Sequence, residues 1–109
     1  MPYAINGGVK TYYEVSGEGP ALVLIPANPC DHTMFLYQIA HFSTWFKVIA
    51  IDLRCYGRSD SVTKPFVIKD MADDVVAVCR AEGESQAIAM GVSTGSGVTL
   101  SLALDFPGF

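Results

Sequence analysis

Five consecutive residues, Gly91-Val92-Ser93-Thr94-Gly95, set a hydroxyl between glycines two positions before and two positions after it. The pattern is G-x-S-x-G, the nucleophile elbow. Gln86–Met90 reads as a strand buried on both faces, and Gly95–Leu104 reads as a helix. A reversal that tight strains its central residue, and its neighbours must be small for strand and helix to pass. Ser93 Oγ would stand in the cleft at the positive end of the helix, with the Thr94 N–H aimed at a developing oxyanion. A glycine-rich turn without chemistry fits the bare pattern, and the flanking elements favour the chemical reading. Gly91, Gly95 and Gly97 also satisfy the G-x-x-x-G-x-G of a dinucleotide-binding turn. That turn belongs after a first strand, whereas this one follows about five.

A serine hydroxyl is a weak nucleophile until a base takes its proton. Residues 94–109 contain one carboxylate, Asp105, and no histidine. Asp105 falls about three helical turns past the elbow and is expected at the surface. The chain has two histidines. His41 falls in a helix and is expected to take a surface or a satisfied structural role. His32 lies in a loop on the edge where chemistry is sought and could approach the cleft as a base. Asp31 beside it is expected to be a helix N-cap or a loop residue. Cys30, Cys55 and Cys79 have neither paired nor zinc-like spacing. No metal or cofactor is implied.

These residues need a frame. Tyr3-Ala4-Ile5, then Asn6-Gly7-Gly8, then Val9–Val15 predicts a β-hairpin. Ala21–Ile25 and Phe46–Ile51 are unbroken apolar runs, as in strands covered on both faces. Between them an amphipathic stretch, Thr33–Phe42, carries Met34, Leu36, Tyr37, Ala40 and Phe42 at helical spacing. A polar loop, Asp52–Pro65, precedes a helix over Asp70–Arg80 that turns Met71, Val75, Val78 and Cys79 inward and ends at Gly83. Alternating strands and helices give an α/β domain with a mostly parallel sheet. Ligands then bind beyond the carboxyl ends of the strands. The loops there are Pro26–Thr33, Asp52–Pro65 and Val92–Gly95.

Half of the 109 residues are hydrophobic and 17% are charged, so one core can form and the composition argues against disorder. The net charge is −4, with no basic cluster, which argues against nucleic acid or an anionic membrane as partner. No apolar run approaches a membrane span, and residues 1–10 do not read as a signal peptide. Three reduced thiols suit a cytoplasmic protein.

Taken in order, these landmarks resemble the serine α/β-hydrolases. The likeness rests on the Gly-Gly hairpin with Tyr12-Tyr13-Glu14, the strand Leu22-Val23-Leu24-Ile25 and the strand Val48-Ile49-Ala50-Ile51. It continues through Asp52-Leu53-Arg54-Cys55-Tyr56-Gly57-Arg58-Ser59-Asp60, similar to the family's D-x-R-G-x-G-x-S loop, then Met71-Ala72-Asp73-Asp74 and the elbow. Small esterases, lactonases and cofactor-free perhydrolases are the nearest in kind. The resemblance implies Ser93 as nucleophile, Gly91 and Gly95 as elbow glycines, and an oxyanion hole from the backbone N–H groups of Thr94 and Asn28. The substrate would be a small acyl compound, an ester or lactone. Serine at the elbow disfavours the branches with an aspartate nucleophile, the dehalogenases and epoxide hydrolases. Two positions depart from the pattern. Pro26-Ala27 stands where the family has His-Gly, and Cys55 replaces a glycine, which is strained if that position needs positive φ.

The family orders its triad Ser, then Asp or Glu, then His. The expectation is therefore a partial α/β-hydrolase fold: the N-terminal portion of a single domain, with an N-terminal β-hairpin, about five of some eight strands and about three helices. Alone it would be nearly inactive. The strand before the elbow would lie at an open edge, a possible site of self-association. A non-catalytic interaction domain is the alternative of a different kind.

Overall fold

The computed structural model describes residues 2–109. Strands β1 (Tyr3–Asn6) and β2 (Val9–Ser16) form the hairpin, turning through Gly7 and Gly8, both at positive φ. Then follow β3 (Ala21–Ile25), a 3-10 turn (His32–Phe35), α1 (Leu36–Phe42), β4 (Lys47–Ile51), α2 (Ile68–Ala81), β5 (Ile88–Gly91) and α3 (Thr94–Asp105). One sheet has the order β1-β2-β4-β3-β5. The expectation of a mostly parallel sheet holds only in part. β4–β3 and β3–β5 are parallel, while β1–β2 and β2–β4 are antiparallel, so the sheet is mixed. The hairpin accounts for the β1–β2 pair: a short turn can only join antiparallel neighbours.

The sheet is covered on both faces. Val23, Ile25, Ile49 and Ile51 pack with Val75, Val78 and Cys79 of α2 and Val98 and Leu102 of α3. Leu22, Leu24 and Val48 point the other way, onto Phe35, with Ile39, Phe42 and Phe46 at the margin. All five residues of β3 are buried, which explains its unbroken apolar run. Each fully buried aliphatic chain there contributes about 1.5–3 kcal/mol, so a charge at Val23 would break the layer. The inward stripe of α1 differs from the expected one. Leu36 and Tyr37 are exposed, and Phe35, Ile39 and Phe42 face the sheet at i, i+4, i+7.

Helix α2 starts two residues before Asp70, whose carboxylate accepts the Val67 N–H at 2.8 Å. It ends as expected at Gly83, at φ 75°, where the Glu84 N–H reaches the Cys79 carbonyl at 2.9 Å. β5 is less buried than its apolar run suggested, because it forms the sheet edge and leaves Ile88 53% exposed. No helix among the described residues is long and apolar enough to cross a membrane.

The strand order places the chemistry. From β3 the chain crosses to β4 on one side and then to β5 on the other. The winding reverses between β3 and β5, and a crevice opens at their carboxyl ends. The loop after β3 and the turn after β5 both start there.

Candidate active site

Ser93 has φ 55° and ψ −112°, a region that side-chain-bearing residues rarely occupy. It is exposed, and it is the N-cap of α3. The surroundings enforce this shape. A Cβ on Gly91 would run into the carbonyl of Gly95 and lie 2.7 Å from Thr99 Oγ1. A Cβ on Gly95 would run into the Ile25 carbonyl and lie 3.0 Å from Pro26 O. Both expected elbow glycines are therefore sterically required. Gly97 is not: its nearest neighbours would be Ile68 side-chain atoms at 3.7 and 3.8 Å. The dinucleotide reading asks that glycine to admit a phosphate backbone, and here it merely borders an isoleucine.

The first turn of α3 closes behind the serine. Gly95 N–H donates to Val92 O at 2.9 Å and Ser96 N–H to Ser93 O at 2.8 Å. Thr94 opens the helix, so its N–H has no carbonyl one turn back within α3. The contact of Gly95 with Ile25 and Pro26 also seats the elbow against the start of the Asn28 loop. Asn28 is exposed in a turn closed by Cys30 N–H to Ala27 O at 2.7 Å, with a cis bond to Pro29. Ala27 keeps a negative φ and donates its N–H toward Met34 Sδ at 3.4 Å, so alanine serves there without strain. Cys55 is strained, at φ 75°, with its Sγ beside the Val62 amide at 3.3 Å.

The other candidates fall elsewhere. Asp105 ends α3, exposed, and accepts from Ser101 Oγ at 2.6 Å. His41 is exposed on α1, edge-on to Phe42 and Trp45 at 5.2 and 5.1 Å. Asp31 caps the 3-10 turn through the Thr33 N–H at 2.9 Å, and the Thr33 hydroxyl and amide hold its carboxyl below its ordinary value. His32 does not offer itself as a free base. Its Nδ1 is 2.7 Å from Asp52 Oδ1 and its Nε2 is 3.2 Å from Glu14 Oε2. Asp31, His32 and Asp52 approach one another closely, but hydrogen bonds inside the protein already engage their polar atoms.

Sequence reasoning missed two arrangements. Asp52, fully buried, anchors the Asp52–Asp60 loop: its Oδ2 accepts the Arg58 N–H at 3.0 Å, and Gly57, at φ 54°, leaves room for the carboxylate. Arg54 grips buried Asp74 with two bonds of 2.7 and 2.8 Å and lies over the Phe66 ring. The hint was an arginine in an otherwise turn-rich loop and an aspartate on the apolar side of α2.

The sequence model described as alpha/beta hydrolase fold matches residues 20–108. AB hydrolase superfamily protein YisY of Bacillus subtilis (strain 168) is 33% identical over 93 residues, covering 84% of this chain and 35% of that protein. Bifunctional epoxide hydrolase 2 of Sus scrofa is 29% identical, over 94% of this chain and 19% of its own length. The solved structure of Est816, described as an N-acyl homoserine lactone degrading enzyme, superposes with TM-score 0.95 at 36% identity. It covers 98% of this chain and 41% of its own. The chain thus spans about two fifths or less of the proteins it matches. A family match across most of its residues, on a sheet that ends at a glycine-flanked serine, makes this chain a member of the α/β hydrolase fold family.

Proposed function

We propose that this chain carries the nucleophile and oxyanion side of a serine hydrolase acting on an ester or lactone. Ser93 Oγ attacks the carbonyl carbon as its proton passes to solvent, and the electron pair of the C=O bond moves onto the carbonyl oxygen. The N–H groups of Thr94 and Asn28 receive that oxyanion. Collapse breaks the bond to the leaving oxygen, which takes a proton from solvent and departs as the alcohol of an ester or stays attached as the hydroxyl of an opened lactone, and water then hydrolyses the acyl-serine. The observation that carries this reading is an exposed serine at φ 55° on the crevice between β3 and β5. The likeness to a lactone-degrading enzyme supports the substrate class. A hydroxyl at the elbow favours acyl transfer over the epoxide chemistry of the porcine relative. A reducing compartment suits three cysteines that form no disulfide.

Neither histidine of residues 1–109 takes the serine proton in this proposal, because among the described residues neither ring contacts Ser93: His32 lies between Asp52 and Glu14, and His41 sits on α1. The chain is expected to acylate slowly and to turn over poorly. Incubation with a fluorophosphonate or an activated ester, followed by intact-mass measurement, should give one adduct that Ser93→Ala abolishes. An adduct that survives Ser93→Ala refutes the nucleophile. Fast multiple turnover by this chain refutes the lack of a base.

A further inference from the structure

The loop that carries Asn28 is tied down at its far end by His32. The backbone N–H of His32 donates to Asp52 Oδ1 at 2.7 Å, and its Nδ1 lies 2.7 Å from the same oxygen. Asp52 is fully buried at the end of β4, and its other oxygen accepts the Arg58 N–H. On the opposite side, Nε2 lies 3.2 Å from Glu14 Oε2 on β2, and that oxygen also accepts the Tyr12 hydroxyl at 2.5 Å. The imidazole therefore bridges two strands, with an acceptor oxygen at each nitrogen. We propose that His32 is a positioning residue, a proton-dependent tie between Asp52 and Glu14 that sets the conformation of the 26–33 loop and with it the Asn28 N–H.

The chemistry follows from counting donors. A doubly protonated ring has an N–H for each carboxylate. A neutral ring has one. That proton stays on Nδ1, because Asp52 is buried and a lost bond there is the costlier one. The Nε2 lone pair then faces the Glu14 oxygen with no hydrogen between them, and the contact opens. The groups around the ring are Asp52 from β4, Glu14 and the Tyr12 phenol from β2, and Asp31 from its own loop. From the Asp52–Asp60 loop, the Arg58 guanidinium lies 5.3 Å from the Tyr12 ring centre. Three carboxylates against one guanidinium leave the neighbourhood net negative. The link to Asn28 is short: the Cys30 N–H to Ala27 O bond closes the turn, and His32 lies two residues beyond.

The catalytic meaning of this tie rests on the proposed function, but its test does not. In two-dimensional NMR of the whole chain, the Asn28 and Cys30 amides should move with pH along the His32 ring signals and share one midpoint. Glu14→Gln, at a half-exposed position, removes the carboxylate facing Nε2 and should shrink that shared movement. His32→Gln should abolish the shared movement. Amides that stay still while the ring titrates overturn the proposal. So does movement that persists in His32→Gln, or movement that Glu14→Gln leaves unchanged. Should His32→Gln fail to fold, wild type and Glu14→Gln decide the matter. Absence of acylation at every pH would remove the proposed function and leave this loop coupling standing.

Discussion

Replacing Gly95 with alanine should uncouple the fold from the reactivity of Ser93. The added Cβ meets the Ile25 backbone, with its carbonyl carbon at 2.9 Å and its oxygen nearer, and Pro26 O at 3.0 Å. None of these atoms ends a flexible side chain, so α3 must lift off β3 by roughly an ångström. Overpacking of this kind costs about 1–3 kcal/mol of stability. A misplacement of about 1 Å at a reacting group costs roughly 10²-fold in rate. Gly97→Ala is the matched control, two residues along the same helix with only Ile68 side-chain atoms at 3.7 Å or more. Alanine in a helix interior should stabilise that variant by about 0.5–1 kcal/mol. The assay is the second-order rate of fluorophosphonate labelling, with circular dichroism to confirm the fold. Gly95→Ala should label about a hundredfold more slowly, and Gly97→Ala at the wild-type rate. Equal rates for the two variants would refute the claim that a close backbone crossing aims the serine.

Arg54→Met should lower stability by about 3–5 kcal/mol in urea titration, because Asp74 would be left buried without its partner. A loss under about 1 kcal/mol would show that Asn6, 2.9 Å from Asp74 Oδ1, is partner enough. A thiol reagent should modify exposed Cys30 readily and leave Cys79 untouched until unfolding, since burial pushes the Cys79 thiol up to about 12. Cys79 reacting at the rate of Cys30 in the native state contradicts that burial. Two copies of the chain should pair through the open side of β5 as concentration rises, and Ile88→Lys should suppress this in sedimentation velocity. A monomer at all concentrations would remove the edge-pairing expectation.

The parts of the fold legible in advance were those written in local pattern. Ala21–Ile25 is apolar without a break because both faces are covered, and the elbow is five adjacent residues under one steric rule. Gly83 announced the end of α2 for a similarly local reason. What stayed hidden depends on partners distant in sequence. His32 reads only as a loop residue near the cleft until Asp52 and Glu14, 20 and 18 residues away, are folded onto it. Arg54 and Asp74 are 20 residues apart and meet only because α2 crosses the sheet. The stripe of α1 is only partly legible, because apolar residues occur on several sides of it and packing alone selects Phe35 and Ile39 beside Phe42.

The crossing of α3 over β3 has a consequence for how such a site can change over time. Everything that bends the chain at Ser93 comes from residues 25–26 and 91–99, so the hydroxyl is presented without help from any proton relay. A lineage could swap the nucleophile at this one position, or rebuild the acid and base elsewhere, and keep the same bend. The two glycines are the components it could not trade away.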